Sequence, residues 1–155
     1  MPAAGDYITP YPAAVHADSP DNGSAVTVTT ATANGTTVCG EVFTAPPSGR
    51  VMAWVTVTFQ ALVQGTGQMY FGPQIRAGNV VGSGSVIWAP TQDLGSKVGQ
   101  NVAGTVAGSA MNQIDGLTPG TVYNVTAVYF GVGLGGTAPQ QLSYFSRSCG
   151  VFPLD

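Results

Sequence analysis

The run VMAWVTVTFQALV, residues 51–63, does more than any other stretch to limit what this chain can fold into. Its odd positions, Val51, Ala53, Val55, Val57, Phe59, Ala61 and Val63, are all apolar, while Thr56, Thr58 and Gln60 are among the even ones. A period of two places one side on a core and the other toward solvent, so the run reads as a half-buried β-strand. In that register Trp54 falls on the outer side.

The remainder agrees with a β reading. Charged residues make up 7% of the 155 positions, against roughly 25% in an average soluble domain. Glu41 and Lys97 are the only residues of their kinds, so the side chains that support exposed helices are nearly absent. Gly, Thr, Val and Ser dominate, the material of strands and tight turns. Further strands are expected at 25–33, 36–43, 67–76, 84–89, 99–107, 121–130 and 141–149. Asn34-Gly35 predicts a hairpin joining the first two, and APPSG at 45–49 breaks the ladder. SAMNQI, 109–114, is the one place where a helical turn is expected. In GLTPGTVYNV, 116–125, Pro119-Gly120 predicts a type II turn with glycine supplying the positive φ. Leu117 should then tuck beneath the sheet, and Tyr123 should bury its ring with its hydroxyl on a backbone partner. A chain of this length forms one domain with a real core. Seven or eight short strands with regular turn signals predict an all-β sandwich.

Residues 1–24 differ in character, with Pro2, Pro10, Pro12 and Pro20 interrupting any regular pairing. The chain thus divides into a Pro-rich extended N-terminal arm, 1–24, and the sandwich domain, 25–155. The first is either a disordered tail or an arm lying along a partner, with Tyr7, Ile8 and Tyr11 as its apolar anchors.

Several function classes find no support in these residues. Arg50, Arg76, Lys97 and Arg147 are scattered singly and the net charge is −3, so the electrostatic footprint of a nucleic-acid binder is missing. No apolar run approaches the roughly 20 residues of a membrane-spanning helix. The start of the sequence lacks a basic segment followed by an apolar one, so no signal peptide is expected. GVGLGG, 131–136, matches a dinucleotide-binding pattern, but the residues after Gly136 are too few for the helix and second strand that the pattern needs. It reads instead as a flexible hairpin loop. DSPDNGS, 18–24, lacks calcium-loop spacing and reads as a solvated turn. His16 is the sole histidine, which leaves no His-based triad or two-histidine metal site. The acids Asp6, Asp18, Asp21, Glu41, Asp93, Asp115 and Asp155 stand in no motif that would tune a pair for catalysis. Asn22, Asn34 and Asn124 head N-x-S/T triplets of the sort that arise by chance in so hydroxyl-rich a chain. No catalytic, cofactor-binding or metal-ligating residue is expected, and the chain reads as non-enzymatic. Cys39 and Cys149, without CxxC spacing, are either bridged or two buried thiols. Trp54 and Trp88 are the candidate partner contacts of the domain, suited to stacking on sugar or filling a partner's pocket.

Three segments, FTAPPSGRV (43–51), GPQIRAGNVVGSGSVIWAP (72–90) and GLTPGTVYNV (116–125), in this order resemble small β-sandwich virion proteins of tailed bacteriophages that infect actinobacteria. The Leu-x-Pro-x-x-x-Tyr element resembles the corner of fibronectin type III and immunoglobulin-like sandwiches. The resemblance implies an accessory structural role on the virion surface, as a head decoration or minor tail protein made in the host cytoplasm. Its partners would be other virion proteins, the major capsid protein or tail proteins, and further copies of itself in symmetric oligomers such as trimers. The competing class is a carbohydrate-binding or adhesion module that takes a host-surface glycan on an aromatic platform around Trp54 and Trp88.

Overall fold

A computed structural model of the chain describes residues 14–19, 25–29, 31, 33, 38–63, 66–98, 106–135 and 141–154. The strands, in chain order, are β1 (Val15–Ser19), β2 (Ala25–Thr27), β3 (Gly40–Thr44), β4 (Arg50–Val63), β5 (Thr66–Ala77), β6 (Val86–Trp88), β7 (Ser96–Val98), β8 (Val106–Ile114), β9 (Val122–Gly135) and β10 (Gln141–Leu154). No helix occurs among the described residues. The strands form two antiparallel sheets. Sheet A has the order β1-β10-β4-β8, with β2 also on β10; sheet B has the order β3-β9-β5-β6, with β7 also on β5.

The alternation in β4 does what its pattern demands. Val51, Ala53, Val55, Val57 and Phe59 are buried, whereas Thr56 is exposed. Val55, Val57 and Phe59 share one cluster with Met69 and Phe71 of β5, Ala127 and Tyr129 of β9 and Cys149 of β10. Val51, Ala53, Ile114 and Val151 share a second with Phe43, Ile75, Leu117, Tyr123 and Val125. Each cluster draws on both sheets, so the two sheets face each other across a common core in a sandwich-like, all-β architecture. A fully buried Val, Ile or Phe side chain contributes about 1.5–3 kcal/mol, and these contributions are what hold two otherwise separate ladders together.

The 116–125 corner forms as expected. Thr121 donates its N–H to the Thr118 carbonyl at 3.1 Å, and Gly120, third in that turn, has φ +73°, which glycine adopts without steric cost. Leu117 and Tyr123 are buried. The Tyr123 hydroxyl accepts the Thr118 N–H at 3.1 Å.

Other expectations are corrected. Ser109–Ile114, expected as a helical turn, is strand: it pairs with β4 from Thr56↔Ser109 to Val51↔Ile114. Helix-forming Ala, Met and Gln yield there to an open strand edge, and a buried Ala110 and Ile114 between exposed neighbours show a period of two. The hairpin signal Asn34-Gly35 lies outside the described residues, and the strands around it do not pair with each other. β2 joins β10 in sheet A, while β3 joins β9 in sheet B. Between them the chain changes sheets: Thr29 accepts the Gly131 N–H on its carbonyl, and Ala33 exchanges both backbone bonds with Tyr129. Most of the expected strand 99–107 lies outside the described residues, with Val106 and Ala107 opening β8. Gly131–Gly135 of the glycine motif, expected as a loop, continues β9, so the backbone that would wrap a pyrophosphate is engaged with β5. Finally, β1 lies inside the segment read as an arm. VHADS falls in the proline-free window between Pro12 and Pro20, and it pairs with β10 from Val15↔Val151 to Ser19↔Arg147.

Candidate functional site

The two sheets treat their outer faces differently. In sheet B the outward positions of β9, Asn124, Thr126, Val128 and Phe130, are as buried as the inward ones. Phe130 stacks on Tyr70 with ring centroids 5.5 Å apart, and residues 78–83 lie against Asn124. Asn124, with no exposed surface, holds that segment down: its Oδ1 accepts the Gly82 N–H at 3.0 Å, and its Nδ2 donates to the carbonyls of Gly78 at 3.1 Å and Ser83 at 3.2 Å. Arg76 adds a second fastening, donating from Nε to Gln74 Oε1 at 2.8 Å and from a terminal nitrogen to the Gly84 carbonyl at 2.9 Å. Further along, Pro90 lies over Gly72, where a Cβ would come within 2.7 Å of the proline ring. Asn124 heads an N-x-T triplet, but an amide at the centre of a sheet with every hydrogen occupied offers no acceptor site for a glycan.

Sheet A leaves its outer face open. Trp54 on β4 and Phe152 on β10 stack at 6.3 Å between ring centroids with planes 20° apart. Met111, directly across the ladder from Trp54, is 61% exposed, and Phe152 is 46% exposed. Met52, opposite Phe152, is half-buried beside them. Gly150 makes room for the indole: a Cβ there would lie 3.0 Å from Trp54 Nε1 and would strike the Val15 carbonyl of β1. The indole N–H is itself buried with no acceptor among the described residues. Past Met111 the face runs into an open polar cleft between β7 and β8, lined by Asp93, Ser96, Lys97, Ser109 and Asn112. An apolar centre with a polar border is the anatomy of a protein–protein contact, and large apolar side chains gathered on an open face are otherwise costly in water.

Of the residues singled out from sequence, Trp54 is on the outer face as expected. Trp88 is in the other sheet, paired with Ile75 and packed against the second core cluster. The two tryptophans therefore do not make one platform. Tyr7, Ile8 and Tyr11 lie outside the described residues. Sequence reasoning misses Met111 and Phe152; the alternation of Cys149 and Val151 with Ser148, Gly150 and Phe152 could have put Phe152 on an outward face, but its place beside Trp54 depends on the pairing of β10 with β4.

Among the described residues the buried titratable groups Tyr129, Arg147, Cys39 and Cys149 lie near one another in the core. His16 approaches Asp18 at 3.9 Å on the surface, a pairing of small energetic weight. No group of three His, Cys, Asp or Glu side chains that could hold a metal occurs among the described residues. Arg147 is buried in the core, a position its isolated place in the sequence does not suggest. Burial raises the Tyr129 phenol above its ordinary value, and the Arg147 charge pulls the other way without reversing it. Cys149 is held in its protonated form by its hydrogen bond with Cys39 and by burial. No helix among the described residues is long and apolar enough to cross a membrane.

No protein-family model matches this sequence, and no curated protein matches it.

Proposed function

We propose that this chain is a non-enzymatic accessory structural protein of a tailed-bacteriophage virion, a head decoration protein held to the shell by its N-terminal segment and by the outer face of sheet A. The observation that carries the reading is the Trp54–Phe152 stack with Met111 on that open sheet face. The N-terminal attachment point borders that patch. β1 begins at Val15 opposite Val151, the chain neighbour of Phe152. On this reading an N-terminal arm, with Tyr7, Ile8 and Tyr11 as its anchors, and this apolar face act together as a two-part clamp. The resemblance of segments 43–51, 72–90 and 116–125 to virion sandwich proteins supports the kind of particle. The Tyr123 corner supports an immunoglobulin- or fibronectin-III-like variety of sandwich. The partner on this reading is the major capsid protein, with further copies of the chain in a symmetric oligomer such as a trimer.

Two measurements test it. Gold-labelled antibody against the protein, applied to particles from the lysate of the strain that encodes it, should mark heads. Label on tails alone makes the chain a minor tail protein, and label on no particle overturns the virion reading. Second, the double variant W54A/F152A should lose particle binding by about 30-fold or more, since one central aromatic anchor contributes about 2 kcal/mol. A folded double variant that binds as the native protein does would remove sheet A as the contact surface. A glycan-binding role would have to rest on Trp54 and Phe152 without Trp88; retardation of the native protein in a host-polysaccharide gel, lost in the same double variant, would favour it.

A further inference from the structure

The chain contains two cysteines, and the fold brings them together across the sandwich. Cys39 immediately precedes β3 and accepts the Ala127 N–H on its carbonyl at 3.0 Å, which fixes it to sheet B. Cys149 is in the middle of β10 in sheet A, between Ala17 of β1 and Val55 of β4. Both are buried thiols, at 1% and 0% exposure. Their sulfurs are 3.7 Å apart although the residues are separated by 110 positions. Cys149 Sγ also lies 3.4 Å from the Cys39 carbonyl. Cys39 Sγ lies 3.5 Å from the carbonyl of Arg147 and 3.6 Å from that of Ala17.

We propose that Cys39 and Cys149 are a cross-linking site, at which the chain acquires an intramolecular disulfide joining the two sheets when it meets a small-molecule disulfide. The sulfurs need to approach by only ~1.7 Å to reach bonding distance, and the backbone on both sides is already anchored in ladder hydrogen bonds. The reaction is two exchanges. One cysteine thiolate attacks the small disulfide, forms a mixed disulfide and expels one small thiolate. The second cysteine thiolate attacks the protein sulfur of that mixed disulfide and expels the other. Two electrons pass from the protein sulfurs to the small molecule, two protons leave the cysteines, and two small thiols are released.

The same burial that aligns the pair guards it. Exchange needs a thiolate within reach of the reagent, and the folded protein buries both sulfurs and holds Cys149 as the thiol. β1 is the removable part of the cover: among the described strands it pairs with β10 alone, and its Ala17 carbonyl faces Cys39. Cross-linking therefore proceeds when β1 lifts, or while the chain folds. A chain that assembles as a dithiol in a reducing cytosol is then locked after release into an oxidising medium. The chemistry does not depend on the proposed virion role.

The test uses the native chain. Reduced protein is held to equilibrium in a buffer of oxidised and reduced glutathione, and a parallel sample is refolded from denaturant in the same buffer. Both are quenched in acid, unfolded, treated with N-ethylmaleimide and weighed by mass spectrometry. The expected product is a monomer lighter by two hydrogens that takes up no maleimide and yields a peptide joining Cys39 to Cys149. It should unfold at a temperature raised by roughly 10 °C over the dithiol form, because the bond closes a long loop in the unfolded chain. Full maleimide uptake in both samples overturns the proposal. So does glutathione retained on one cysteine without ring closure, and so does a bridged form that melts below the dithiol.

Discussion

Replacing Asn124 with alanine should show how sheet B keeps its outer cover. The side chain makes three well-formed bonds to the 78–83 segment, at 3.0, 3.1 and 3.2 Å, with a further approach of 3.5 Å to the Arg76 carbonyl. At about 1 kcal/mol net for each of the three, N124A should cost about 3 kcal/mol of the 5–15 kcal/mol that stabilises a typical domain. With a urea dependence of about 2 kcal/mol per molar, the unfolding midpoint followed by tryptophan fluorescence should fall by about 1.5 M. N124D is the more discriminating variant. Aspartate keeps the acceptor for Gly82 but turns a second oxygen toward the carbonyls that the amide nitrogen served. At pH 7 it should be no more stable than N124A. A buried carboxylate facing carbonyl oxygens has its pKa raised above the ordinary value of about 3.9. The native state then binds the proton more tightly than the unfolded chain does, so stability is greatest at low pH and is lost as pH rises through the folded value. N124D should accordingly gain stability relative to the native protein between pH 7 and pH 5. A midpoint for N124A within about 0.3 M of the native one, or an N124D that exceeds N124A at pH 7, would refute the reasoning.

Tyr123→Phe removes the acceptor of the Thr118 N–H and should lower stability by about 1 kcal/mol, seen as a smaller fall in the same midpoint and as faster exchange of the Thr118 amide. Two buried groups shape the alkaline limb. Cys149 is held protonated in the fold, so its contribution to stability declines once pH passes the ordinary thiol value of 9.0. The Tyr129 pKa is raised above 10.0, chiefly by burial, so its own contribution, fully present below pH 10, declines above it as the unfolded phenol ionises. Titration at 295 nm should show a tyrosine that ionises later in the folded chain than in the unfolded one, and Y129F should lessen the decline.

Much of the framework was legible because local pattern and tertiary role coincide. The period of two in 51–63 requires one buried side, and Trp54 faces outward for the same reason. The turn at Pro119-Gly120 needs a positive φ that glycine supplies, and a tyrosine three residues later can reach back to it. What was illegible depends on partners distant in sequence. Nothing in AVT or in GEVFT says that one joins β10 and the other β9. The outward side of β9, with Asn124 and Thr126, looks like a wetted face, and segments distant in sequence, 78–83 over Asn124 among them, make it interior. Ser109–Ile114 has helix-forming side chains, and the edge of β4 overrides them. The contact face was half legible: Trp54 by its register, Phe152 and Met111 only once three strands are set side by side.

The placement of β10 bears on how the chain comes to be folded at all. This strand, late in the sequence, occupies an interior position in sheet A, with β1 and β2 on one side and β4 on the other, and the residues it joins to β4 are up to roughly a hundred positions apart. Until Gln141–Leu154 has left the ribosome, β1 and β2 have no strand to join and β4 lacks one of its neighbours. A polypeptide truncated before that point should fail as a whole rather than leave a shorter domain. Sheet A therefore closes only once β10 has emerged, and the pairing of β1, β2 and β4 is tested when that strand arrives.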